Sequence, residues 1–128
     1  MAAQLLQLAS HEDAVLDTAP ILVLRRSLGD QRCREIIEEV VFHLTDRLGL
    51  LDAALAEDRP TDAKALAARL AGLSEQVGLT DFARVSRDLA QCLQAGDRVA
   101  TAAVAARLLR LGENSLFSVI LYADHAAL

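Results

Sequence analysis

Between Cys33 and Leu55 the apolar residues fall at Cys33, Ile36, Ile37, Val40, Val41, Leu44, Leu48, Leu51 and Leu55. Steps of three and four draw one stripe along a single helix of about 27 residues, starting near Asp30, which is placed to cap it. Glu38, Glu39, Asp46, Arg47 and Asp52 mostly avoid the stripe. Gly49 costs about 1 kcal/mol against alanine, too little to divide a helix whose pattern continues past it. A stripe this wide suits a packed core better than a single helix in solvent.

The flanking segments are also helical in pattern. Residues 2–9 predict a short leading helix, and His11 to Asp17 a polar connector. Pro20 fits a first helical turn, where its missing N–H would be unpaired anyway. That helix runs to about Leu28, and Gly29 ends it. Pro60 breaks the chain after the long helix, and Thr61 or Asp62 can cap the next, which runs to about Val77 before Gly78 stops it. Thr80 caps a fourth segment with Phe82, Val85, Leu89 and Leu93 inward. Gly96-Asp97 makes a turn. A last helix runs from about Arg98 to Tyr122, with Val99, Ala103, Ala106, Leu109, Leu116, Val119 and Ile120 toward the core and a kink at Gly112-Glu113-Asn114. No strand-like alternation appears. The expected fold class is all-α. Four long amphipathic helices with short connections form an up-and-down four-helix bundle, with a short extra N-terminal helix. Residues 1–19 are the N-terminal helix and connector, 20–122 the bundle, and 123–128 a C-terminal tail.

Aromatics are only 3% of the 128 residues, and two prolines and six glycines punctuate the chain lightly, as a helix-forming vocabulary requires. The formal charge of −5 and the absence of a basic cluster argue against a nucleic-acid partner, because phosphate neutralisation needs grouped Lys and Arg. No run of about 18 apolar residues occurs, so no membrane span is expected. The N-terminus lacks a signal-peptide pattern, and the expected location is cytoplasmic. Cys33 and Cys92 have no C-x-x-C partner and are expected as buried free thiols.

The segment Ala67 to Gly72 reads A-A-R-L-A-G, and Gly78 follows six residues on. On a helical wheel Ala63, Leu66, Leu70, Leu73 and Val77 share one side, facing the core. Opposite lie Lys64, Ala65, Ala68, Ala71, Gly72 and Glu75, a strip of small side chains fenced by Lys64 and Glu75. This frame resembles the phosphoacceptor helix of histidine phosphotransfer (Hpt) domains, which run roughly A-H-x-L-K-G and then six residues to a second glycine. The resemblance covers about residues 20–122, including the E-D-R-P-T-D approach, the G-L-T-D-F continuation and the L-Q-A-G-D end of the following helix. Ala68 stands at the phosphoacceptor histidine position and Ala71 at the lysine position. The resemblance implies an Hpt-like fold and a bacterial two-component phosphorelay setting. It also implies that Gly72 keeps a clearance role for a docking partner. Ala68 and Ala71 can do no phosphoryl chemistry, since an alanine methyl is no nucleophile. The resemblance therefore implies a non-phosphorylatable module that binds a response-regulator receiver domain or a histidine kinase through Lys64, Ala65, Ala68, Arg69, Ala71, Gly72 and Glu75.

Other chemistry finds little footing. His11, in A-S-H-E-D, shares three residues with the S-H-E start of a histidine-kinase phosphoacceptor box, but D-A-V-L-D then departs from it; an atypical relay through His11 is one alternative. His43 lies on a flank of the long stripe and is expected to be partly exposed and hydrogen-bonded. His125 belongs to the tail. Asp88 is spaced to pair with Arg84, and Arg107 with Arg110 reads as a solvated face. No histidine pair has metal spacing, no phosphate loop or nucleophile motif is present, and neither a cofactor nor an enzymatic site is expected. A structural homodimer through an apolar bundle face is the other alternative.

Overall fold

The computed structural model describes residues 16–126, with side chains described as far as Ala123. Within them the chain folds into five helices: α1 (Ala19–Leu28), α2 (Asp30–Ala56), α3 (Pro60–Gln76), α4 (Thr80–Ala95) and α5 (Arg98–Ala126). The expected helix at residues 2–9, and His11, lie outside the described residues.

The stripe from Cys33 to Leu55 is the buried side of α2, one unbroken helix of 27 residues. Cys33, Ile37, Val40, Leu44 and Leu51 are buried, and Ile36, Val41, Leu48 and Leu55 pack partly buried against them. Gly49 sits on the exposed side, where its cost is only that of propensity. The N-cap position is Gly29 rather than Asp30, which is the first helical residue and pairs with Arg25 at 3.3 Å. Helix α3 likewise begins earlier than Thr61 or Asp62: Pro60 occupies its first turn, and Asp62 binds Arg59 at 2.9 Å. Helix α4 begins at Thr80 itself, with Leu79 at the cap position.

Successive helices pack on one another, and α5 returns to α2, so α2, α3, α4 and α5 make a closed circuit of contacts. The α3–α4 contact is the most extensive, while α1 lies on α2 and touches α3. Ile21 of α1 is fully buried, and its carbonyl accepts the Cys33 thiol at 3.6 Å. Phe82, Val85 and Leu89 of α4 fill the middle of the core, each contributing about 1.5–3 kcal/mol by leaving water. Buried Ser74, Ser86 and Ser115 donate their hydroxyls to the carbonyls four residues back, at 2.6, 2.8 and 2.7 Å, so no polar group is stranded there.

The register of α5 differs from the expectation. Val99 is 84% exposed, and Ala103 and Ala106 also face solvent, whereas Ala105, Leu108, Leu111 and Ala123 are buried; Val119 is buried as expected. Leu109 and Leu116 are half-buried and Ile120 is exposed. The first turns of α5 carry alanine on every side, so apolarity marks no face there. The two bulky side chains Leu108 and Leu111 decide which side is buried. The helix also passes through Gly112 without a break and continues beyond Tyr122 to Ala126. A Cβ on Gly112 would lie 2.8 Å from Leu48 Cδ2 and 3.3 Å from Phe82 Cε2, so this glycine permits close approach of α5 to α2 and α4.

Gly78 closes the α3–α4 turn at φ +79°. Its carbonyl accepts the Asp17 N–H at 2.8 Å, and Leu16 forms an antiparallel bridge with Leu79. Leu16 and Asp17 are thereby strapped across the α3–α4 turn. No helix among the described residues is long and apolar enough to cross a membrane.

Candidate docking surface

Pro60 starts α3 and Gly78 follows its end, so the strip lies on one uninterrupted helix of 17 residues packed by α2 and by α4. Leu70 and Ala63 are fully buried, and Leu66 and Leu73 are half-buried on the same side. Ala65, Ala68 and Gly72 fall at three- and four-residue steps and are all exposed, forming one column of minimal side chains. A Cβ built on Gly72 meets nothing within 4 Å, so the space above it is open. Arg69 is exposed beside this column.

The two fence residues are both anchored to α4. Lys64 Nζ donates to Gln94 Oε1, and Arg87 forms an ion pair with Glu75. All four side chains are solvent-exposed, so each link is worth little in stability but holds a long side chain aside from the column. Arg87 therefore pairs across helices rather than within α4. Arg84 binds Asp81 at 3.3 Å, in place of the expected pairing with Asp88.

Ala71 does not belong to the exposed strip. It is 2% exposed. On the wheel it shares a flank with Lys64 and Glu75, the side from which both reach α4. A helix packed by two neighbours buries a wider arc than its large apolar residues mark. Ala67, fully buried, widens that arc in the same direction. The participation of Arg87 and Gln94 has no signal along the chain, because they lie 12 and 30 residues from their partners.

The other candidates are scattered. His43 is exposed, with Nδ1 at 3.2 Å from Arg47 Nη1 and its ring edge-on to Phe42. The Arg32 guanidinium is held above its ordinary pKa by hydrogen bonding to Glu35 and by the Glu39 charge. Cys33 is buried as expected, while Cys92 is only half-buried. Arg107 is half-buried rather than solvated, and its Nε is buried without a hydrogen-bond partner. His125 falls within α5 and not in a tail, although its side chain is outside the described set. Among the described residues no group of three or more His, Cys, Asp or Glu side chains could hold a metal ion.

In chemical terms the column offers a low, nearly featureless surface on a packed helix, with charge at its ends and no nucleophile. No family model matches the chain, and no curated protein or solved structure matches it.

Proposed function

We propose that this chain is an Hpt-like four-helix module that binds a receiver domain or a histidine kinase in cytoplasmic two-component signalling without accepting phosphate itself. The observation that carries the proposal is the exposed Ala65–Ala68–Gly72 column in the middle of α3. A receiver presents its phosphorylation site on a surface that must come close to the helix carrying the acceptor. Minimal side chains at 65, 68 and 72 allow that approach, and Lys64, Arg69 and Glu75 supply a charged rim. Ala68 provides no lone pair for phosphoryl transfer, so the complex can form and stop there. The closed circuit of α2, α3, α4 and α5 supports the four-helix reading. Ala71, being buried, takes no part in this surface.

The test is capture from native lysate with the wild-type chain and with Gly72→Trp, which has open space for its side chain. The expected result is a receiver domain or histidine kinase held by the wild type and lost with Gly72→Trp, while circular dichroism shows both equally helical. A phosphotransfer assay with acid-labile phosphate detection should find no phosphohistidine. Its appearance on the wild type and loss with His11→Ala would establish the atypical relay instead.

A second reading, a homodimer, is favoured by one observation. Phe42, Phe117, Ile120 and Leu121 are 68, 63, 42 and 40% exposed. Phe42 and Ile120 line the same groove between α2 and α5, about 280 Å³ in volume. Contiguous exposed apolar surface of this kind marks association sites. Light scattering distinguishes the readings: a dimer abolished by Phe42→Glu but retained in Gly72→Trp assigns the α2–α5 face to self-association.

A further inference from the structure

At the opposite end of α3 from Gly78, the α2–α3 turn, the end of α4 and the start of α5 surround a cavity of about 460 Å³. Its floor is Ala54, Ala63 and Ala105, with Leu55 and Leu93 at the sides. One or two turns further along each helix the core is closed by Leu51, Leu70, Leu89 and Leu108, all fully buried. Alanine at the final layer therefore leaves a space that leucine fills elsewhere. The volume lies within the range of about 300–1,000 Å³ usual for small-molecule sites.

The mouth carries charge, and every arginine in it is already paired. Arg98 spans from α5 to Asp58 at 3.3 Å. Arg59 binds Glu57 at 2.8 Å and Asp62 at 2.9 Å. With three carboxylates against two guanidiniums, an anionic ligand would lose its hydration without gaining an uncommitted positive charge. Thr101 adds one hydroxyl at the rim. We infer that this cavity binds a hydrocarbon-rich small molecule that carries no negative charge and at most one hydroxyl or similar polar group. The site is separate from the small-residue column and does not depend on the docking proposal.

The experiment is an amide NMR titration of the whole chain with 1-octanol, and in parallel with octanoate at neutral pH. Octanol is expected to shift Ala54, Ala63, Thr101 and Ala105, with octanoate binding weaker by roughly tenfold or more. Ala105→Leu fills the floor, and Ala102→Trp plugs the mouth from an exposed position. Each should weaken octanol binding by roughly tenfold or more, while Gly72→Trp leaves it unchanged. If Ala105→Leu does not fold, Ala102→Trp decides alone. Octanoate binding as tightly as octanol, shifts centred on Phe42 and Ile120, no saturable shift, or binding that survives Ala102→Trp would each overturn the inference.

Discussion

Replacing Gly78 by alanine tests how Leu16 and Asp17 are held on the rest of the fold. Gly78 has φ +79°, a conformation that costs an L-residue about 1–2 kcal/mol. A Cβ there would also fall inside the van der Waals shell of the Asp17 carbonyl oxygen, so the two backbones must separate. Separation loses the Asp17 N–H to Gly78 carbonyl hydrogen bond, worth about 1 kcal/mol net, and loosens the Leu16–Leu79 bridge. The sum is about 2–4 kcal/mol. Gly96 provides the control: it has φ +70° with nothing within 4 Å of an added Cβ, so Gly96→Ala carries the conformational cost alone. Urea unfolding followed by circular dichroism measures both. With a slope of about 1.5 kcal/mol per molar, Gly78→Ala should unfold roughly 1 M earlier than Gly96→Ala. Equal midpoints for the two variants would refute the argument, because the Asp17 contact would then contribute nothing.

Ala71→Lys should cost about 2–4 kcal/mol in the same assay, since it forces a long charged side chain into a position only 2% exposed, whereas Ala68→Lys should cost less than about 0.5 kcal/mol. The corrected register of α5 is checked by Leu108→Ala, expected to lose about 2–5 kcal/mol, against Val99→Ala, expected to be nearly neutral because Val99 is 84% exposed. Gly49→Ala should stabilise by about 0.5–1 kcal/mol, as the added methyl enters open space in mid-helix; a destabilised variant would contradict the unbroken course of α2.

The long helices were legible in the sequence where large apolar residues recur at helical spacing on an otherwise polar chain. Helix α2 is the clearest case, with every residue of its stripe buried or half-buried. The glycines at 29, 78 and 96 were legible as stops, and all three have positive φ. Alanine carries no comparable information. It is compatible with core and surface alike, so the start of α5 and position 71 could be placed only once neighbouring helices were present. The column at Ala65, Ala68 and Gly72 lies opposite the leucines of α3, and its exposure followed from the wheel. Ala71 lies on the flank, and its burial depends on α4 packing there. The ties from Lys64 to Gln94 and from Glu75 to Arg87 also required the fold, because they join residues distant in the chain. So did the cavity at the far end, which arises where four helix ends meet and three of them place alanine on the inward side. Among the described residues the sequence by itself determined which segments are helices and, in α2, α3 and α4, which side is strongly apolar, because both depend on periodicity within one segment. Tertiary structure alone decided how wide each buried arc is and what lies beside it, because those depend on which helices become neighbours.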